Sequence, residues 1–491
     1  MKDKLKILFF FKMENFIAPI GPMCISAVAL KEGHQTFLCE INNEDPFKKI
    51  EEIKPDIIAY SSSTGESKHY IRLDKEIKAK HPGIFSIMGG PHPTFFPELI
   101  NDTTFDAIFT GESDGAFSDF LQAYCAGKPL EGIPNVITKK STPRNLRNLV
   151  EDLDSLPIPD YGLMYDNTPM GKSPLKSFMV SRGCPYKCTY CFNPTWNKMY
   201  EGKGKIVRRM SVDKAIENIV KVRERWPLST VKFYDDIFSY RADEWLEEFA
   251  KKYKKEINLP YFILTRCDLL TEDMVKLLKA SGCRTISMSI EAGNPDVRNN
   301  LLKRNMSSED IIRAHRLCDK YGIYTFTNCI IGLPNTKIEQ DIESIDICIK
   351  SRVSWSEFLI FYPYPGTVLG DQTINMGLYT PDYEKMHTSY MYRSELNCFT
   401  DKEKNAQQNI AELGAVATTL PFLRNLIVKR LIWLKHNRFY IFMYWLVKMY
   451  IIRNKIYVTK TTFKESLRIY WRSLRQEVFR HTPEKVKTAA K

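Results

Sequence analysis

The chain has 491 residues, 44% of them hydrophobic and 12% aromatic, which is ample for more than one core and long enough for two to four domains. Its twelve cysteines form no even framework, and Met1-Lys-Asp-Lys-Leu-Lys6 runs straight into an apolar stretch, so a disulfide-stapled or signal-led secreted protein is excluded as the expectation and a reducing cytoplasm is preferred. The net charge of +13 is localised: residues 421–491 carry 17 Lys and Arg against 3 Asp and Glu, leaving 54 against 55 in the preceding 420.

In chain order, residues 6–11 predict a buried strand and 21–31 an apolar helix closed by Gly33. Strands are predicted over 36–40 and 56–61, an amphipathic helix over 68–80, and further strands over 84–88 and 105–109. This alternation predicts a doubly wound parallel sheet, which binds ligands beyond the carboxyl ends of its strands. Three loops lie at such ends: Ser61, Ser62, Ser63, Thr64 and Gly65; Gly89, Gly90, Pro91, His92, Pro93 and Thr94; and Gly111 with Glu112. Residues 141–175 read as a linker, because Pro157 and Pro159 forbid regular helix there.

Strands and helices alternate again from 176 to about 367. A strand over 178–181 delivers the run Ser181-Arg-Gly-Cys184-Pro-Tyr-Lys-Cys188-Thr-Tyr190-Cys191-Phe192. A helix is predicted over 212–225. The later strands are 231–236, ending in Asp235 and Asp236; 261–265, reaching Arg266; 285–291, ending in Glu291-Ala-Gly293; 324–332, before Leu333-Pro334; and 357–362, ending at Tyr362. Three thiolates within eight residues, with no fourth in reach, do not make the closed four-ligand site of structural zinc. Iron–sulfur clusters are held by cysteine thiolates, and three of them on one loop would hold three irons of a [4Fe–4S] cube and leave the fourth iron open to a ligand.

Beyond 376, residues 401–420 look helical, and 423–457 mix bulky apolar residues with Lys and Arg. The most apolar window, 439–447, falls short of the roughly 20 apolar residues of a spanning helix. Two readings stand side by side: a helix lying in a membrane interface against anionic headgroups, or a helical cap on the preceding barrel with its charges solvated. Nucleic acid is not the expected partner.

The cysteine spacing, with Tyr190 and Phe192 flanking the last thiol, resembles the signature of the radical S-adenosylmethionine (radical SAM) enzymes. The N-terminal loops resemble the cobalamin-binding domain of one large subgroup, the class B methyltransferases and anaerobic cyclases. The likeness covers roughly residues 1–370. It implies a Rossmann-like cobalamin domain over 1–140, the linker over 141–175, a partial (β/α)6 radical SAM barrel over 176–385 and a basic helical region over 386–491. It implies three cofactors: a [4Fe–4S] cluster on Cys184, Cys188 and Cys191, SAM at the open iron, and cobalamin. For SAM, Glu291 would take the ribose hydroxyls, Asp235 or Asp236 the methionine amine and Arg266 the carboxylate, whose geometry suits a forked donor. Gly332 and Pro334 would approach the adenine, Tyr190 and Phe192 would offer apolar faces, and Ser289 and Tyr362 complete the set. For cobalamin the resemblance points to Pro19, Gly21, Ser61, Ser62, Ser63, Thr64, Gly89, Gly90, His92, Pro93, Thr94, Gly111 and Glu112, glycines giving close backbone approach and hydroxyls bonding the nucleotide tail. One departure is clear: no Asp-x-His-x-x-Gly motif occurs, and the loop 12–19 has no His, so cobalamin is expected without a histidine on cobalt. His92 reads as a loop residue rather than a ligand. Cys267, Cys283, Cys318, Cys329 and Cys348 read as small core residues.

The implied activity starts with reductive cleavage of SAM to a 5′-deoxyadenosyl radical, which abstracts a substrate hydrogen. Methyl transfer from methylcobalamin to an unactivated carbon, or to phosphorus, follows. The same constellation serves oxidative cyclisation and rearrangement, and a non-catalytic cobalamin or redox sensor is the alternative without turnover. A tRNA methylthiotransferase is set aside, since Cys24, Cys39 and Cys125 lack the context of a second cluster. The expected partners are a small-molecule or lipid substrate, an external electron donor of flavodoxin or ferredoxin type, and the inner face of a membrane touched by the C-terminal region.

Overall fold

The computed structural model describes residues 4–13, 18–141, 145–382, 391–457, 470, 471, 473–475 and 478. Parts of the loop 12–19 and of the stretch around the 385/386 boundary, and most of 458–491, therefore lie outside the described residues. The chain forms two compact units: Met1–Gly183 with Trp196–Leu228 and Asp382–Met386, and Cys184–Thr195 with Ser229–Pro381 and His387–Lys491.

The first unit opens with β1 (Lys6–Phe11), α1 (Ile20–Lys31), β2 (Gln35–Glu40), α2 (Pro46–Ile53), β3 (Ile57–Ser61), α3 (Ser67–Lys80), β4 (Phe85–Gly89), α4 (Pro91–Phe95), β5 (Ala107–Phe109), α5 (Asp114–Cys125) and β6 (Val136–Thr138). The strand order is β2-β1-β3-β4-β5-β6, parallel throughout except the edge pair β5–β6. Four consecutive residues of β1, Ile7 to Phe10, are buried, as a strand covered on both faces requires. Chain order reverses where β1 pairs with β2 on one side and β3 on the other, which opens a crevice beyond their carboxyl ends. Helix α2 exists because Asp45 accepts the Phe47 and Lys48 N–H groups ahead of Pro46, a start signal the hydrophobic pattern had hidden. The stretch read as a loop after Gly90 is the single-turn helix α4.

Next come α6 (Tyr161–Tyr165), β7 (Leu175–Phe178), β8 (Ser181–Arg182), α7 (Asn193–Met199), β9 (Arg208–Arg209) and α8 (Val212–Arg225). The strand expected over 178–181 is divided: β7 ends at Phe178, and β8 pairs antiparallel with β9 while Met210 N–H donates to the Val180 carbonyl. Helix α8 starts where Ser211 accepts the Lys214 N–H.

The second unit carries β10 (Thr230–Phe233), α9 (Glu244–Glu256), β11 (Tyr261–Leu264), α10 (Glu272–Ser281), β12 (Cys283–Ser287), α11 (Ser308–Lys320), β13 (Tyr324–Ile331), α12 (Ile338–Ser351) and β14 (Trp355–Ile360). Its strands are parallel in the order β14-β13-β12-β11-β10. With β7, six strands alternate with helices along the chain, the repeat of a partial (β/α)6 barrel. Phe233 packs on Phe249 and Tyr253 of α9, so its neighbours Lys232 and Tyr234 face the opposite side of the sheet.

After β14 come α13 (Val368–Asn375), α14 (Asp401–Thr419), α15 (Arg424–Lys429) and α16 (Arg438–Ile451). Thr400 and Glu403 form a capping box at the start of α14. Every residue of α14 from Ala406 to Thr418 is buried. Gly414 allows this: a Cβ there would lie 2.7 Å from the Phe358 ring of β14. Asn437 caps α16, whose Tyr444 ring lies 5.8 Å from that of Trp355. One face of α16 is thus a cap on the sheet; another, with Phe439 and Tyr450, is exposed.

Candidate functional site

Two of the strands leading into the site end sooner than the sequence suggested. β10 stops at Phe233, so Asp235 and Asp236 sit on the following loop. β12 stops at Ser287, and Glu291 adopts φ 68°, a left-handed conformation that costs a non-glycine residue about 1–3 kcal/mol. Neighbouring strand β13 holds it there, since Glu291 N–H donates to Asn328 O (3.0 Å) and Ile330 N–H to Glu291 O (2.7 Å). The following Gly293 is needed because a Cβ would lie 2.2 Å from the Glu343 backbone of α12. The chain thus turns the Glu291 carboxylate into the mouth of the sheet and locks it.

Around that mouth lies a cavity of about 170 Å³ lined by Cys184, Cys188 and Cys191 together with Tyr190, Asp236, Arg266, Ser289 and Glu291. The residue the sequence reading missed is Arg304. It lines the same cavity, is buried, and donates to Ser289 O (2.5 Å) and Tyr190 Oη (3.2 Å). Its Nη1 is also 3.9 Å from Cys188 Sγ. Arg304 follows a short helical turn in a polar run, Lys303-Arg-Asn, that carries no motif, so nothing local marked it. Tyr190 Oη donates to Glu291 Oε1 at 2.8 Å. Burial pushes the Glu291 carboxyl up and Arg304 pulls it back; burial also raises the Tyr190 hydroxyl far above its ordinary value, so it remains a donor.

Arg266 is already engaged. Its Nε and Nη2 each bind Asp268 at 3.0 Å, Nη2 donates to Arg304 O, and its plane lies 3.7 Å over the Tyr186 ring. Its Nη1 is 4.0 Å from Cys188 Sγ. Asp236, not Asp235, lines the cavity; burial raises its carboxyl while Asn193 lowers it. Phe192 is 45% exposed and outside the lining, as are Gly332, Pro334 and Tyr362. Gly332, at φ 64°, donates its N–H to Asp341, and Tyr362 packs with Leu333 and Phe361. The other cysteines of this unit named above, Cys267, Cys283, Cys318, Cys329 and Cys348, are buried free thiols.

The three loop thiols fit an iron–sulfur cluster by their chemistry. Among the described residues no group of three His, Cys, Asp or Glu side chains gathers as it would around a single metal ion. The thiols instead share one cavity wall, with two guanidinium groups beside Cys188, a setting that favours a net-negative thiolate cluster. Burial raises Cys184 and pushes Cys191 up to about 12, so ligation must displace their protons.

In the first unit, a cavity of about 230 Å³ opens at the reversal between β1 and β3. It is lined by Phe9 to Lys12, Pro19, Ser61, Ser62, Ser63 and Pro91, among others, and the described lining includes no histidine. Hydroxyls and backbone over an aromatic floor fit the nucleotide tail of cobalamin. The remaining expected residues go elsewhere. His92 is buried and donates its N–H to Ser62 O, and burial lowers its imidazole to about 4. Thr94 Oγ1 donates to Gly90 O and accepts the Gly111 N–H. Gly111 lies so close to the Tyr200 hydroxyl that a Cβ would fall 2.0 Å from it. Glu112 is taken by Arg208 (2.9 Å) and Arg182 (3.4 Å). Gly111 and Glu112 are therefore occupied within the unit, through partners 70 to 96 positions along the chain that a sequence reading does not connect. Gly21, Thr64, Gly89 and Pro93 also lie outside the lining.

Comparison with known proteins matches two family models to the chain. A B12-binding domain model matches residues 8–121 and a radical SAM superfamily model residues 178–347. The chain thus carries a B12-binding domain and a radical SAM domain, which together imply a [4Fe–4S] cluster, SAM and cobalamin as cofactors. It is 27% identical over 382 residues to an uncharacterised methyltransferase of Pyrococcus horikoshii, covering 75% of this chain and 82% of that one. It is 23% identical over 396 residues to the cytidylyl-2-hydroxyethylphosphonate methyltransferase of Streptomyces wedmorensis, covering 71% and 72%. The solved structure of the radical SAM methyltransferase TsrM from Kitasatospora setae, with cobalamin and a [4Fe–4S] cluster bound, shares the fold at a TM-score of 0.66 and 14% identity, over 97% of this chain and 99% of that one.

Proposed function

We propose that the protein is a cobalamin-dependent radical SAM methyltransferase acting on an unactivated carbon, or on phosphorus, of a small molecule or lipid. The observation that carries this reading is the shared cavity: three cysteines, Glu291, Ser289 and two arginines line one wall system, in a chain that also carries a B12-binding domain. When bound, the cluster and cobalamin supply the reducing electron for SAM cleavage and the methyl group for transfer. Cys184, Cys188 and Cys191 would hold three irons. Arg266 and Arg304 place positive charge beside the Cys188 sulfur, where it would offset the charge of a thiolate-bound cluster. Glu291 would accept the ribose hydroxyls, oriented by the Tyr190 hydroxyl. Asp236, which lines the cavity, would receive the methionine amine, with Arg266 as the candidate for the carboxylate.

Lys232 is a candidate for substrate. Its ammonium lies 4.2 Å from the Tyr234 ring centroid, 4.9 Å from Phe262 and 5.0 Å from Tyr457, and burial lowers it to about 8. A cation on an aromatic wall suits a carbonyl or anionic group. An external donor of flavodoxin or ferredoxin type, the cytoplasm, and a contact of the C-terminal region with the inner membrane face belong to the same reading. The test is anaerobic reconstitution with iron, sulfide and cobalamin, then incubation with dithionite and methyl-labelled SAM. Retained corrin, a cluster absorbance band and deoxyadenosine release support the assignment. Deoxyadenosine without retained corrin would remove methyl transfer from cobalamin; no deoxyadenosine would favour a sensor.

A further inference from the structure

Residues 421–457 contain eight Lys and Arg and no Asp or Glu. Within them α16 has three faces. Tyr444 packs on Trp355, and Trp445 meets the Tyr470 ring and donates to Ser473 Oγ. The third face presents Phe439, Phe442, Leu446 and Tyr450, spaced three, four and four residues apart, which is one stripe of a helix. These side chains are 63%, 38%, 50% and 64% exposed. Trp433 and Leu434, exposed on the preceding turn, add to the apolar surface.

The cations around this surface are exposed too. Lys429, Arg430, Lys435 and Arg438 form no ion pair among the described residues. Arg424, by contrast, is paired with Asp346. Aromatic and leucine side chains ringed by unneutralised cations match the boundary of a bilayer bearing anionic lipid, where rings sit at headgroup depth and cations meet phosphate. No described helix is long and apolar enough to cross a membrane, so contact along the surface is what this helix can offer.

We propose that the α16 stripe, with Trp433 and Leu434, docks this protein on the surface of an anionic phospholipid bilayer. The proposal locates the membrane contact named above and is independent of the catalytic reading, whose spectroscopic test it does not share. The experiment is flotation of the full-length holoprotein with vesicles of phosphatidylcholine, with and without phosphatidylglycerol. Binding is expected only with phosphatidylglycerol and is reversed by high salt. The triple variant Phe439→Ser, Leu446→Ser, Tyr450→Ser should partition about tenfold more weakly, because three exposed apolar anchors are lost. A quadruple variant with Gln at 429, 430, 435 and 438 should lose the dependence on phosphatidylglycerol. Both change exposed side chains, so an unaltered melting curve and cluster spectrum should accompany them. Failure of wild type to float, equal flotation of the triple variant, or retention on RNA or duplex DNA in place of vesicles would each overturn the proposal.

Discussion

Replacing Glu291 by Gln tests the site at its most constrained residue. The substitution keeps shape and keeps an acceptor for the Tyr190 hydroxyl, now 2.8 Å from Oε1. It removes an ionisable carboxyl from a buried position where desolvation raises it and Arg304 lowers it. A hydrogen bond to a charged group contributes roughly 1.5–3 kcal/mol and a neutral one roughly 0.5–1.5. Across two ribose hydroxyls the loss is about 2 kcal/mol, or about thirtyfold in the SAM dissociation constant. The assay is anaerobic calorimetry of SAM binding to reconstituted wild type and variant, matched for cluster absorbance and corrin content. Affinities within about threefold of each other, with the cluster intact, would show that Glu291 does not contact the ribose.

Three further outcomes are expected. Gly293→Ala should lower stability by about 3 kcal/mol in a denaturant melt, because its Cβ would lie 2.2 Å from the Glu343 backbone; a melt like wild type would mean α12 shifts freely. Asp341 is buried, accepts the Gly332 N–H, and is pushed by desolvation to about 8, so it stays protonated in the fold while the unfolded chain ionises near pH 4. Its contribution is fully present below about pH 4 and is lost as pH rises to about 8, at about 1.4 kcal/mol per pH unit relative to Asp341→Asn; parallel stability–pH curves for the two proteins would contradict this. Isotope-labelled lysine NMR should find two resonances that titrate near 8, from Lys176 and Lys232, of which one is missing in Lys232→Met, whereas solvated lysines titrate near 10.4; no change near 8 in the variant would place Lys232 in water.

Much of this was legible because the chemistry is written locally. The cysteine loop, the alternation of strands and helices, and Glu291-Ala-Gly293 each declare themselves within a dozen residues, and α8 spans the residues its periodicity predicts. What the sequence hides depends on partners far along the chain. Glu112 lies on a strand-end loop that suggests a ligand contact, and folding brings Arg182 and Arg208 to its carboxylate. Arg304 was passed over because its meaning lies in Cys188, Tyr190 and Ser289, brought near only by folding. The strand expected to reach Glu291 stops at Ser287, since a positive φ cannot be read from an apolar, β-branched run. The two readings of the C-terminal region were posed as rivals because a helix has more than one face, and hydropathy alone does not say which are covered.

Arg304 ties two functions to one counter-charge. Its guanidinium lies 3.9 Å from Cys188 sulfur and also supports the Tyr190–Glu291 pair. The cation that faces the sulfur is the same one that offsets the burial of the Glu291 carboxyl. By reciprocity, any coupling between what binds at the one and what binds at the other is returned in equal free energy. The cysteine loop and Glu291 thus share one counter-charge, so a substitution at Arg304 is felt at both ends of the cavity.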